Sequence, residues 1–195
     1  MKNRIKLILL ALLLSISGWC HAQIKPTSYK VGVFNEMISM PTYKVVQSPI
    51  HPGFTIGVDL WEKTETRWPQ TLGANFGYYY HELYEHAFML DAAYSFGYEF
   101  KFGLRFKILV DLGYKHSVLS GDVYKFEDGE YQKSTHWGKA QFNAKVGLGL
   151  EYPISNQFSV IVDYKEMLAL PYSPDKGMPF SAHLLFGVGV KYSLQ

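Results

Sequence analysis

The stretch WGKAQFNAKVGLGLEY, from Trp137 to Tyr152, alternates between two kinds of side chain. From Ala140 onward, even positions carry apolar or aromatic residues, and odd positions carry lysine, glutamine, asparagine, glycine and glutamate. Because successive side chains of a β-strand point to opposite faces, the stretch predicts a strand with one apolar and one polar face. Glycines on the polar face and aromatics at the ends of the apolar face are typical of a strand with lipid outside and a crowded polar interior.

The same period of two recurs along the rest of the chain. The predicted strands cover residues 28–34, 54–61, 72–80, 88–99, 104–115, 137–152, 158–165 and 182–192. Most of these strands are near the ~9–11 residues that a tilted strand needs to cross a bilayer. Every proline after residue 22 falls at a strand end or in a connection, as expected for a residue that cannot donate to a ladder. We therefore predict an all-β fold, an eight-stranded antiparallel up-and-down transmembrane β-barrel.

The N-terminus resembles a secretory signal peptide. Basic residues at positions 2–6 precede a short apolar run at residues 8–16, which is the pattern of an export signal. The run is too short to cross a membrane as a helix. Cys20 suggests a lipoprotein signal, but the bulky Trp19 before it favours cleavage after Ala22.

Cleavage changes the composition of the chain. The signal peptide takes with it the single cysteine and three of the 19 lysines and arginines, and 17 acidic residues remain in the mature chain. The mature protein then has no thiol chemistry, and its charge does not suit nucleic-acid binding. We expect residues 1–22 to be the signal peptide and residues 23–195 to be one barrel domain in the outer membrane.

The lengths of the connections support this topology. Small membrane barrels alternate short periplasmic turns with longer outer loops. With a periplasmic N-terminus, the long connections fall in the outer positions: 35–52, 118–137 and 170–180. The links near Lys101 and Ile154 are tight and fall in periplasmic positions, whereas the links 81–86 and 62–70 depart from the rule. Tyrosine and tryptophan gather at both predicted edges, where amphipathic rings favour an interface.

A soluble sandwich or a lipocalin-like barrel is the alternative fold. It would turn the apolar face inward and place charged residues such as Arg105 and Lys107 on a wet surface. It does not account for the aromatic edges, the glycines on one face or the alternating loop lengths.

The predicted interior carries charges of both signs. Counting back from the tight turns places Glu99 opposite Arg105 and Lys145 opposite Asp163. An eight-stranded barrel is narrow enough for side chains to fill it. Partnered charges in such a lumen predict a plug of salt bridges rather than a pore.

These features resemble the small outer-membrane β-barrel family of Gram-negative envelopes. The resemblance covers the whole mature chain and rests on the pattern of alternating strands. Barrels of this family often end in an aromatic residue, and this chain departs from that rule, because Tyr192 is followed by Ser193, Leu194 and Gln195. It implies contact with outer-membrane lipid and lipopolysaccharide. The activities of this family are diverse: structural barrels, adhesion, lipid modification and accessory subunits. Among them we expect a non-enzymatic structural or accessory-subunit role, with other outer-membrane proteins as partners and no cofactor.

Lipid A deacylases of that class carry His-x-Ser-Asn near the outer end of a strand, followed by a loop glutamate. Here residues 115–119 read Lys-His-Ser-Val-Leu, so that His116 matches the histidine and Glu130 the orienting acid. Val118 and the leucine after it replace the serine and the asparagine. Ser117 should point away from His116, out of reach as a nucleophile. A lipid A-modifying hydrolase with these two candidate residues is the alternative function, beside a narrow channel.

Histidines gather at the predicted outer rim: His51, His81, His86, His116, His136 and His183. By alternation, His51, His81 and His183 point into the mouth of the barrel. Imidazoles from separate strands are the groups that could hold a transition metal or sense acid. Because no carboxylate or His-x-His spacing accompanies them, we predict no bound metal, and these three remain the candidate ligands.

Overall fold

A computed structural model describes residues 25–38, 50–82, 84–127, 129–134, 137–172 and 179–194. Eight antiparallel strands close into a barrel, each paired with its neighbours along the chain and the first with the last. The strands of the chain are β1 (Ser28–Ile38), β2 (His51–Lys63), β3 (Gln70–His81), β4 (Glu85–Glu99), β5 (Arg105–Leu119), β6 (Val123–Glu127), β7 (Glu130–Ser134), β8 (Lys139–Pro153), β9 (Phe158–Leu170) and β10 (Ser181–Ser193). Among the strands of the described residues, β6 and β7 alone lie outside the barrel, so the predicted fold class is confirmed.

Some features of the sequence fall outside these ranges. The predicted signal peptide, residues 1–22, lies outside the described residues, and so does His136. Within the described ranges, no helix is long and apolar enough to cross a membrane.

The two faces of β8 are those that its alternation predicts. Val146 on the even face is 58% exposed, whereas Lys145 on the odd face is 5% exposed. Asn143 and Glu151, also at odd positions, are buried as well. Because the sheet is closed, the odd face of β8 lines the interior and the even face forms the outside of the barrel.

The two ends of the barrel differ in their connections. One end, here named the turn end, carries the first and last described residues and the connections 64–69, 100–104 and 154–157. The opposite end, named the loop end, carries the connections 39–50, 82–84, 120–138 and 171–180. The alternation of short and long connections is therefore largely as predicted, with 82–84 short and 64–69 long for their ends.

The connection between β5 and β8 contains structure that the predicted loop 118–137 does not include. Its strands β6 and β7 pair with each other, with Glu127 opposite Glu130. The sequence at 128–129 is Asp-Gly, a dipeptide that favours tight hairpin turns, and Gly129 has a φ of 86°. Asp122 forms a hydrogen bond and a 2.7 Å ion pair with Lys133, which together raise the pKa of this lysine above its usual value.

A β-bulge interrupts the alternation of β2. The register with β3 shifts between Asp59 and Trp61, so one extra residue stands on β2. The extra residue turns Trp61 to the outside, where it is 45% exposed, while Asp59 stays inside. The bulge therefore places an aromatic ring at the turn-end edge of the outer surface and a carboxylate in the lumen.

Inward glycines let neighbouring strands approach closely. A Cβ added at Gly97 would overlap the carbonyl oxygen of Phe106 on β5, and one added at Gly113 would overlap that of Leu90 on β4. Side chains at these positions would force the strands apart.

Candidate functional site

Charged side chains fill the turn end of the lumen. Arg105 donates to Glu99 at 2.6 Å and to Glu151 at 2.9 Å. Lys107 also pairs with Glu151, and the Lys191 ammonium lies 3.9 Å from the same carboxylate. Glu99 and Arg105 stand directly opposite each other in the β4–β5 register, so their predicted pairing is confirmed.

A second layer of ion pairs crosses the middle of the barrel. Lys145 on β8 pairs with Asp91 on β4, so this bond spans the lumen beyond the neighbouring strand. Asp111 accepts from Lys165 at 2.9 Å. Strands that are not adjacent in the sheet are thereby tied together through the interior.

The predicted pairing of Lys145 with Asp163 is wrong. Met167 stands opposite Lys145 in the β8–β9 register, and Asp163 stands opposite Gly149. The predicted pairing centres the β8–β9 turn on Ile154, whereas the observed register centres it on Asn156, two residues further along the chain. The Asp163 carboxylate instead lies 3.8 Å from the Lys165 ammonium.

A cavity of about 120 Å³ lies within this layer. Its charged lining consists of nine residues: Lys30, Asp59, Asp91, Lys107, Asp111, Lys145, Glu151, Asp163 and Lys165. This volume has room for several waters, since one water needs roughly 10–15 Å³ of such space. Towards the loop end the lumen is filled by an apolar cluster: Tyr79, Ala87, Met89, Met167 and Leu185, with Phe34 packed against it.

A buried polar cluster stands beyond this apolar layer at the loop end. The Glu85 carboxylate accepts hydrogen bonds from the hydroxyls of Tyr79 and Ser117 and pairs with the Lys115 ammonium. The same ammonium lies 3.4 Å from Nε2 of His183. Strands β3, β4, β5 and β10 are thus linked by one network.

Three histidines and a glutamate complete the loop-end cluster. His183 Nδ1 lies 2.6 Å from Oε1 of Glu36, and both side chains are buried. The other oxygen of Glu36 lies 3.7 Å from Nδ1 of His51. The rings of His51 and His81 stack with their centroids 3.5 Å apart. Of the three predicted candidates, the structure brings His51 and His81 together and places His183 behind the carboxylate.

Glu36 supplies the carboxylate that the sequence pattern lacks. It is absent from the predicted ligands because the predicted first strand ends at Phe34, whereas β1 continues to Ile38. Lys30 and Phe34 lie at even positions of β1, which face inward. The same alternation places Glu36, two residues after Phe34, on the inward face. It stands directly opposite His51 in the β1–β2 register.

The two candidate hydrolase residues are not brought together. His116 lies on the outward face, with Nδ1 2.8 Å from the Tyr114 hydroxyl and Nε2 3.0 Å from the carbonyl oxygen of Trp137. Ser117 points inward to Glu85, as its alternation with His116 predicts. Glu130 is exposed at the start of β7, and no hydrogen bond or ion pair among the described residues joins it to His116.

The outward faces form an apolar belt around the barrel. Val33 on β1 is 60% exposed, and large apolar side chains are exposed on each of the eight barrel strands. A water-soluble monomer rarely exposes a contiguous apolar patch of more than a few hundred Å². Such a belt requires lipid around it. Lipid tails offer no hydrogen bonds to the backbone, and a closed barrel needs none from them because its strands pair with one another all the way round.

The fold is that of a small eight-stranded outer-membrane β-barrel. No protein-family model matches the sequence, and no curated protein matches it. Among solved structures, the chain is similar to Neisserial surface protein A, with 10% identity and a TM-score of 0.48 over 87% of this chain and 96% of that one.

Two further solved structures are similar to this chain. The N-terminal β-barrel domain of Pseudomonas aeruginosa OprF has 16% identity and a TM-score of 0.44, covering 87% of this chain and 100% of that one. The outer membrane enzyme PagL has 14% identity and a TM-score of 0.48, covering 86% of this chain and 99% of that one. At these identities the likeness concerns the fold alone, and no residue role is transferred.

Proposed function

We propose that this protein is an outer-membrane β-barrel with a non-enzymatic role in the cell envelope, as a structural protein or as an accessory subunit of a larger membrane assembly. The observation that carries the proposal is the distribution of side chains, with an apolar belt outside and ion pairs inside. Lys115 and Lys145 are buried in the lumen, whereas Val33 and Val146 are exposed on the outer surface. This arrangement suits a barrel that spans the bilayer and is held closed from within.

The filled lumen argues against the narrow channel. An ion that crossed the barrel would have to displace the Lys145–Asp91 pair and the side chains of Met89 and Met167. Wild-type protein reconstituted in planar bilayers should therefore give no steady unitary current. Regular single-channel openings would contradict a closed interior.

The loop-end geometry argues against the hydrolase. A serine nucleophile and its histidine base must lie within hydrogen-bond reach, but Ser117 and His116 point to opposite faces of β5. The Ser117 hydroxyl donates to Glu85, and the two ring nitrogens of His116 contact the Tyr114 hydroxyl and the carbonyl oxygen of Trp137.

An acidic side chain on the apolar belt favours the subunit form of the proposal. Glu166 lies between Lys165 and Met167, which both point inward, so its own side chain faces outward. Its register neighbours are Val146 on β8 and Leu184 on β10. It lies about 10 Å below the loop end of β9, given a rise of about 2.5 Å per tilted residue. A carboxylate at membrane depth is costly unless it meets a polar partner, so we place the partner contact here.

The test compares the mature chain purified in mild detergent as wild type, Glu166→Leu and the control Val188→Leu. We expect an outer-membrane partner in fixed stoichiometry with wild type and the control, and its loss from Glu166→Leu. Equal recovery from all three would contradict the subunit contact. Lipid A mass spectra of strains with and without the gene should match, whereas a protein-dependent change in acylation would overturn the non-enzymatic role.

A further inference from the structure

Glu36, His51 and His81 are aligned across three adjacent strands at the loop end. Glu36 on β1 stands opposite His51 on β2. The β2–β3 register pairs Gly53 with Tyr79. Because the strands are antiparallel, the same register places His51, two residues before Gly53, opposite His81, two residues after Tyr79. Side chains directly opposite each other on one face have Cβ atoms about 4.5–5.5 Å apart. The barrel backbone itself therefore holds these three side chains next to one another.

These side chains hold potential ligand atoms close to one another. One ligand atom from each of Glu36, His51 and His81 lies within 4.8 Å of the other two. Glu36 Oε2 and His81 Nδ1 are buried and accept or donate no hydrogen bond within the described part of the chain. Buried polar atoms without partners are rare in native proteins, and an ion is one of the groups that satisfies them.

The surrounding contacts orient the ligands. The Lys115 ammonium can only donate, so Nε2 of His183 accepts and Nδ1 carries the proton that is donated to Glu36 Oε1. That bond fixes the carboxylate and leaves Oε2 directed towards His51. His51 Nδ1 lies 3.1 Å from the carbonyl oxygen of Glu36, a bond that leaves Nε2 of His51 as its free ligand atom. Hydrogen bonds of this kind, behind the ligands, are typical of metal sites.

We propose that Glu36, His51 and His81 bind a divalent transition-metal ion, with His183 as a positioning residue. Two imidazoles and one carboxylate suit Zn²⁺, and imidazole also suits copper and nickel. Ligand atoms of a tetrahedral zinc site lie about 3.3 Å apart, so the stacked rings of His51 and His81 must turn to converge on the ion. A fourth position remains for water or another group. The proposal is independent of the envelope role.

The first test is calorimetric titration of Zn²⁺ into the folded mature chain in detergent, without a histidine tag. We expect about one equivalent to bind with micromolar affinity. His183→Gln should weaken binding by about 10- to 100-fold, the usual effect of losing a residue that supports a ligand. His51→Ala and His81→Ala should weaken it at least as much, because they remove ligands.

His86→Ala is the matched control, since His86 lies on the adjacent strand but contacts the Tyr78 hydroxyl away from the cluster. It should bind Zn²⁺ as wild type does. Equal affinity in wild type, His51→Ala and His81→Ala would overturn the proposal. The second test needs no variant: Co²⁺ added to the wild type should give the visible absorption of a tetrahedral site, bleached by Zn²⁺. A spectrum identical to that of Co²⁺ in buffer would also overturn the proposal.

Discussion

The Lys145–Asp91 pair is the interior contact whose loss should lower the free energy of unfolding most. Lys145 is almost fully buried, and its ammonium is the hydrogen-bond partner of Asp91 Oδ2, while Oδ1 has no partner among the described residues. Lys145→Met therefore leaves a buried carboxylate uncompensated. Breaking a buried pair in this way costs about 3–5 kcal/mol of unfolding free energy.

The assay is urea unfolding of the reconstituted barrel, followed by tryptophan fluorescence. The double variant Lys145→Met/Asp91→Leu should recover most of the lost stability, because replacing both members of a buried pair by apolar residues is often neutral. The surface control is Lys133→Met, whose pair with Asp122 is exposed and should leave the midpoint nearly unchanged. The reasoning fails if Lys145→Met unfolds at the same urea concentration as Lys133→Met.

Two further predictions concern the membrane. Arginine at Val146 or Val188, near the middle of β8 and β10, should cost about 2–4 kcal/mol in bilayer unfolding experiments, whereas Tyr152→Arg near the turn end should cost about 0–1 kcal/mol. Equal costs at both depths would support the soluble barrel. A cysteine at Gln132 in the β6–β7 hairpin should react with an impermeant thiol reagent on intact cells, whereas one at Ser155 should react only after lysis. The reverse pattern would invert the orientation.

The period-two pattern predicts the barrel because side chains alternate between inside and outside along the barrel strands, apart from the bulge in β2. Inside and outside follow from parity alone, as Lys145 and Val146 show. To predict the register, meaning which residues of two strands lie opposite each other, the position of the turn between the strands must also be known. The Glu99–Arg105 pair is predicted correctly because these residues flank one connection, whereas Lys145 is misplaced because the β8–β9 turn is centred on Asn156 and not on Ile154.

The loop-end cluster is harder to predict than the strands. Parity identifies His51, His81 and His183 as inward residues, but it does not show which of them meet. The contact of His183 with Glu36 depends on closure of the barrel, which brings β10 beside β1. The sequence separation between these two residues is large, so no local spacing signals the contact.

The account depends most on lipid contact of the outer face. A nitroxide attached at Val146, in a barrel reconstituted into bilayers, tests this directly by collision with oxygen and with a water-soluble nickel chelate. At Val146 the nitroxide should collide more often with oxygen than with the chelate. At Ala140 and Tyr152, near the two ends of β8, collisions with the chelate should become more frequent. If the chelate reached Val146 as readily as it reached those two positions, the even face of β8 would be in water and the membrane barrel would be contradicted.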